Sequence, residues 1–272
     1  MQEYRGNCHC GAFKFHIKLP SPGLNGLKIR NCDCSICSRN ALLWIFPIPD
    51  NNLVIETGKE SLQTYGFAGE KMVHWFCPKC GSYVMGRRKD TPKDRQLGIN
   101  ARMLKDINLK ELEITTFPGA DLEPKYQPPP FPPREEIEKK LKVEEGMEIY
   151  NGNCQCKAVT YSVLTKSLKE QEVMCCNCSL CSRNGDLYIY PKKSQVLVHT
   201  GEDQLTGYAF LSTESLHCFC SVCGVSVLVK VLGEGKDDDV CPVNVRTLVD
   251  FVPLQTEGLK MQFYDGAKND PQ

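Results

Sequence analysis

An excess of charge of either sign is missing from this chain. Its 272 residues hold 33 Lys and Arg against 33 Asp and Glu, a formal net charge of zero. No global field therefore recruits nucleic acid or an acidic membrane surface. An Arg/Lys-rich aromatic strand of the kind that reads nucleic acid is also missing. Long apolar runs are absent: none approaches the ~18 residues of a membrane span. The opening MQEYRGNCHCG lacks the apolar stretch of a signal peptide, so a cytoplasmic location is expected. In that setting thiols do not serve disulfides. What the chain has in quantity is cysteine, 17 in all, and these then mean metal ligands or reactive groups.

Seven cysteines stand in one order, and the order repeats. Cys8 and Cys10 form a C-x-C, Cys32, Cys34 and Cys37 a C-x-C-x-x-C, and Cys77 and Cys80 a C-x-x-C. Cys154 and Cys156, then Cys176, Cys178 and Cys181, then Cys220 and Cys223 restate the series. The match extends beyond cysteine. Gly6-Asn7-Cys8 answers to Gly152-Asn153-Cys154, Cys37-Ser38-Arg39-Asn40 to Cys181-Ser182-Arg183-Asn184, and Asn100-Ala101-Arg102 to Asn244-Val245-Arg246. This is tandem duplication. It predicts domains over 1–122 and 148–272, with 123–147 between them, and the halves are expected to pair as an intramolecular pseudo-dimer. The intervening segment carries Pro-Pro-Pro-Phe-Pro-Pro, which favours a semi-rigid extended spacer. Arg134 to Glu145 reads either as a short helix ended by Gly146 or as solvated linker.

Elsewhere the period is two. Phe13, Phe15, Ile17 and Leu19 alternate with polar residues, as do Val159, Tyr161 and Val163. Short β-rich stretches follow at Leu43 to Ile48, Leu53 to Glu56, Leu62 to Phe67, Met72 to Phe76 and Leu97 to Asn100. The second half has them at Leu187 to Tyr190, Val196 to His199, Leu205 to Phe210 and Val225 to Leu232. Such frequent short strands predict an all-β fold of antiparallel sheets with few helices.

The cysteine spacing divides into two chemistries. C-x-x-C-G is a zinc knuckle, and a C-x-C on a strand presents both sulfurs to one side. Cys8, Cys10, Cys77 and Cys80 are therefore expected to close one structural tetrahedron, and Cys154, Cys156, Cys220 and Cys223 another. That uses four of seven. The remaining Cys32, Cys34 and Cys37, and Cys176, Cys178 and Cys181, each wrap a metal from one side. Three readings stay open for these loops: zinc with a free fourth position, zinc closed by His74 or His217, or no metal. Up to four Zn2+ per chain are expected.

At these motifs the chain resembles the glutathione-dependent formaldehyde-activating enzyme and centromere protein V family, once in each half. The resemblance implies two tandem, zinc-stapled β-tent domains and a second, catalytic zinc on the three-cysteine loop. It implies a small-molecule thiol or thiol adduct as partner, and a carbon–sulfur lyase that joins formaldehyde and glutathione reversibly. Ala41 stands where the family usually has glycine, although Gly185 fits. Ser38-Arg39 and Ser182-Arg183 replace a frequent Arg-Arg, and the duplication itself departs from the one-domain pattern.

Several residues carry two readings. Arg39 and Arg183 either hold a substrate carboxylate or bond the loop carbonyls. His74 and His217 are general-base candidates or packed strand histidines. Asn100 and Asn244 read as strand-end hydrogen bonders, Trp44 and Trp75 as core or pocket wall, and Cys175, Cys218 and Cys241 as ordinary buried thiols. The function expected is a zinc-dependent carbon–sulfur lyase acting at the three-cysteine loops. The alternative is a non-catalytic zinc-stabilised protein-interaction module.

Overall fold

A computed structural model of the protein describes residues 1–67, 69, 71–122, 124–233, 235, 239–249, 251 and 258–270. Glu123, where the intervening segment begins, and residues 271–272 lie outside them. The chain forms two compact units, one built on Met1–Tyr126 and the other on Gln127–Ser182 and Asp186–Gln272.

The first unit contains β1 (Gln2–Asn7), β2 (Lys14–Leu19), β3 (Ile29–Cys32), α1 (Ser35–Arg39), β4 (Leu43–Ile45), β5 (Leu53–Thr57), β6 (Gln63–Phe67), β7 (Met72–Phe76), β8 (Tyr83–Arg88), β9 (Leu97–Asn100) and β10 (Ile114–Phe117). β1-β2-β5 make a three-stranded sheet, and β10-β3-β4-β9-β8-β7-β6 a seven-stranded one. The second unit contains α2 (Arg134–Leu141), β11 (Glu148–Asn153), β12 (Thr160–Thr165), β13 (Glu172–Cys176), α3 (Ser179–Asn184), β14 (Tyr188–Ile189), β15 (Val196–Thr200), β16 (Leu205–Phe210), β17 (Ser212–Cys220), β18 (Ser226–Val231), β19 (Val243–Asn244) and β20 (Lys260–Tyr264). Its sheets, β11-β12-β15 and β20-β13-β14-β19-β18-β17-β16, repeat the first unit strand for strand.

The all-β duplicate expected from the sequence is therefore present, with one correction. The large sheets are mixed, because β10 pairs parallel to β3 and β20 parallel to β13. Parallel neighbours need a long crossover rather than a hairpin. Here the last strand of each unit returns to the free edge of a strand some eighty residues earlier (Ile114 against Ile29, Lys260 against Glu172). Local alternation carries no information on that direction. β4 and β14 stop short of their expected ends, because Pro47 and Pro191 follow and proline gives no ladder donor.

β2 shows the expected alternation: Phe15 and Ile17 are fully buried, while Lys14 and Lys18 are exposed. β12 is buried on both faces. The cause is α2. Its Ile137 and Leu141, one turn apart, pack with Leu164 of β12, and Leu197 of β15 borders them. By register Leu164 occupies the place of Lys18, since Ile17 faces Tyr4 and Val163 faces Tyr150. The charged run is thus a helix, and it ends at Lys142 in a left-handed cap (φ 51°), four residues before Gly146.

Candidate metal centres

Cys77 and Cys80 lie in the turn between β7 and β8, while Cys220 ends β17 and Cys223 lies in the turn before β18. After β7, Gly81 adopts φ 72° and its N–H returns to the Cys77 carbonyl at 2.8 Å. After β17, Gly224 does the same at φ 70° and 2.8 Å to Cys220. A side chain is strained in that conformation, which glycine adopts freely. The C-x-C pairs lie in the turns that follow β1 and β11, not along strands as the spacing predicted; it is the turn that brings both sulfurs inward. Sγ of Cys10 lies 3.6 Å from both Cys8 and Cys77. Sγ of Cys156 lies 3.4 Å from Cys154 and 3.6 Å from Cys220. Four sulfurs around zinc at ~2.3 Å stand about 3.8 Å apart, so both sets fit a tetrahedral ion. The N–H groups of Phe13 and Val159 each donate to the Cys8 and Cys154 sulfurs at 3.3 Å, as a thiolate favours. Each set joins the small sheet of its unit to the large one.

The three-cysteine groups begin at the ends of β3 and β13, which lie toward the opposite end of each large sheet's strand order from β7 and β17. Cys32 ends β3, Cys34 precedes α1 and Cys37 lies on it; Cys176, Cys178 and Cys181 are placed alike around β13 and α3. In each group the three sulfurs lie within 4.8 Å of one another. Among the described residues, no His, Asp or Glu joins either group. His74 instead packs between Trp44 and Tyr83, at 5.7 and 6.1 Å between ring centroids, and His217 against Tyr188 at 6.3 Å. Hydrogen bonds from Cys34 and Cys37 pull Cys32 down to about 3, and one from Cys181 pulls Cys176 down to about 6. Cys37 and Cys181, which share those protons and are buried, are pushed well up. Cys32 and Cys176 are so biased toward thiolate beside a protonated Cys37 and Cys181, whose protons a divalent cation would displace.

Two glycines that the motif reading passed over hold these groups together. A Cβ on Gly119 would lie 2.3 Å from the Cys32 sulfur, and one on Gly266 would lie 2.6 Å from that of Cys176. The residue inside each C-x-C pins the same turn. Asp33 accepts from Ala120 N–H at 2.7 Å, and Asn177 from Ala267 N–H at 2.8 Å. The signal was legible: Phe117-Pro118-Gly119-Ala120 recurs as Tyr264-Asp265-Gly266-Ala267.

The remaining candidates fall into place around them. Arg39 is buried, with Nη1 donating to the Ser35 carbonyl at 3.4 Å and its guanidinium 4.5 Å over the Tyr126 ring. Arg183 lies half-buried in the last turn of α3. Trp44 is core, and its indole N–H donates to the Cys37 sulfur at 3.3 Å. Asn100 accepts from Leu43 and Arg102 N–H and donates to the Tyr83 carbonyl, tying β4, β9 and β8. Asn244 does the same for Leu187, Arg246 and Ser226. Ala41 adopts φ 47° and Gly185 φ 65°, so the departure from glycine leaves the left-handed backbone unchanged. Cys175, Cys218 and Cys241 belong to none of the four groups, and burial pushes Cys241 up to about 11.

The family described as glutathione-dependent formaldehyde-activating enzyme matches this chain twice, over residues 3–116 and 149–264. A solved structure of a Rhodobacter sphaeroides protein is similar at 30% identity, covering 41% of this chain and 97% of that one, with a TM-score of 0.35.

Proposed function

The chain belongs to the glutathione-dependent formaldehyde-activating enzyme family in two tandem copies, and from that premise we propose that it is a zinc-dependent carbon–sulfur lyase acting on thiol adducts, that of glutathione among them, at its three-cysteine groups. The observation that carries the reading is three convergent sulfurs with no fourth donor among the described residues, repeated in both units. A closed structural site spends four ligands; three leave a position for substrate. Zinc held there supplies electrostatic stabilisation of a substrate thiolate.

The chain's own residues prepare the site. The Trp44 N–H donates to Cys37 and would offset the charge that sulfur gains once a metal displaces its proton. Gly119 and Gly266 let the backbone close against the sulfurs. In the synthetic direction the substrate sulfur bonds to the carbonyl carbon, the carbonyl π pair moves to oxygen, and the thiol proton ends on that oxygen. The reverse step restores thiol and aldehyde. Fourteen cysteines gathered into four metal-fitting groups support a reducing compartment such as the cytoplasm.

The test is two-dimensional exchange spectroscopy of 13C-formaldehyde with glutathione, using the full-length zinc-loaded chain. Exchange faster than the uncatalysed rate is expected, and lost when Cys34 and Cys178 are both changed to Ser. An uncatalysed rate with all four metals in place would leave the protein-interaction module as the better reading.

A further inference from the structure

The two three-cysteine groups are alike, but the walls beside them are not. In the first unit Arg30 precedes Cys32 by two residues on β3 and so shares its face of the sheet. Its guanidinium lies 4.9 Å from the ring of Phe117, the register partner of Cys32, and 5.5 Å from that of Phe46. Arg88 lies over the same Phe46 ring at 4.2 Å. Phe46 stacks in turn on Trp44, the residue bonded to Cys37. Two guanidinium groups thus share one aromatic ring beside the cysteines.

Among the described residues, neither has a carboxylate within ion-pair distance. Arg88 donates from Nη2 to the Arg95 carbonyl at 2.6 Å, but its Nε is buried without a partner. Asp50 and Asp90 act on it only through their field, and both Asp50 oxygens already accept N–H groups, from Gln96 and Leu97. Burial and the Arg30 charge hold the Arg88 guanidinium below its ordinary value. Like charges gathered on one ring disfavour the fold alone. A bound anion removes that penalty, and paired guanidinium groups suit a carboxylate.

The second unit has discarded this device. By register Met174 stands in place of Arg30, each opposite the strand residue that neighbours the cysteines, Tyr188 or Trp44. Val231 stands in place of Arg88, since His217 faces Val229 and His74 faces Gly86. Met174 and Val231 pack directly against the cluster that holds Cys178 and Cys181. Tyr190 replaces Phe46.

Resting on the thiol reading of these sites, we propose that the two have diverged in substrate class: the first takes thiols bearing a carboxylate, held by Arg30 and Arg88 across Phe46, and the second takes uncharged thiols against Met174 and Val231. The duplication then gives one chain two specificities.

Calorimetric titration of the full-length zinc-loaded chain with 3-mercaptopropionate and with its methyl ester tests this. Each is measured on Cys178→Ser, which isolates the first site, and on Cys34→Ser, which isolates the second. The acid should bind the first site about tenfold more tightly than the ester, and the second site should prefer the ester. Adding Arg30→Met and Arg88→Val should abolish the first preference, while Arg30→Lys should keep part of it. Circular dichroism checks that the variants are folded. An unchanged acid-to-ester ratio in the double arginine variant overturns the proposal.

A second measurement separates this from failure of the thiol reading. Propionate, which has no thiol, should protect Arg30 and Arg88 from phenylglyoxal labelling, read by peptide mass spectrometry. Protection without thiol binding keeps the carboxylate site and rejects the thiol chemistry. Labelling unaffected by propionate rejects the carboxylate site itself.

Discussion

At Gly119 a single methyl group would decide whether three sulfurs can meet. Its Cβ would stand 2.3 Å from Cys32 Sγ and 3.1 Å from Cys34 Cβ, so the turn or the cysteine must move. Gly119→Ala should therefore lower metal content by one equivalent and destabilise the first unit by about 1–3 kcal/mol, the usual cost of overpacking. Metal analysis and thermal unfolding check both; full metal content would show that the turn yields freely. Ala41 presents the opposite case. A side chain already occupies φ 47° there, where an L residue is strained. Ala41→Gly should stabilise the chain by about 0.5–1 kcal/mol, measured by denaturant titration, and a loss of stability would refute the strain argument.

At the scale of elements, α2 distinguishes the two units. It covers the outer face of β12 through Ile137 and Leu141, whereas the corresponding face of β2 presents Lys14 and Lys18 to solvent. Leu141→Ala should cost about 2–4 kcal/mol of the second unit's stability. The α2-to-β15 surface should then exchange amide protons faster while β1, β2 and β5 stay protected. Uniform loosening of both small sheets would argue against a helix that serves one unit. The C-x-x-C turns act at the same scale, because each joins two sheets. Changing Cys80 or Cys223 to Ser should lower the unfolding temperature of its own unit, whereas Cys34→Ser or Cys178→Ser should leave both units folded. Equal thermal losses in the two classes would make all four groups structural.

For the whole molecule, the expectation is four zinc ions per chain, two per unit, released by a strong chelator in two stages. The three-cysteine groups should lose metal first, having one protein ligand fewer. Two ions in the purified protein would leave the three-cysteine groups without metal and remove the proposed chemistry. No described helix is long and apolar enough to cross a membrane.

Duplication, strand content and the membership of all four cysteine groups were legible in the residues, because ligand spacing and two-residue alternation are local properties that recur in both halves. His74 and His217 show the limit. Sequence places each three residues before a knuckle, but packing against Trp44, Tyr83 and Tyr188 keeps them out of the sulfur groups. Arg39 and Arg30 show it again. Proximity in the chain drew attention to Arg39, which spends its guanidinium on Ser35 and Tyr126. Arg30 and Arg88 are 58 positions apart and meet only because β3 and β8 lie in one sheet and both side chains reach the Phe46 ring. Sequence by itself determined which residues can ligate metal, since that depends on donor chemistry and short spacing. Tertiary structure decided that His74 and His217 stay out of the sulfur groups, which edge strands run parallel and which residues gather beside Phe46, because those depend on residues that only long-range strand pairing brings together.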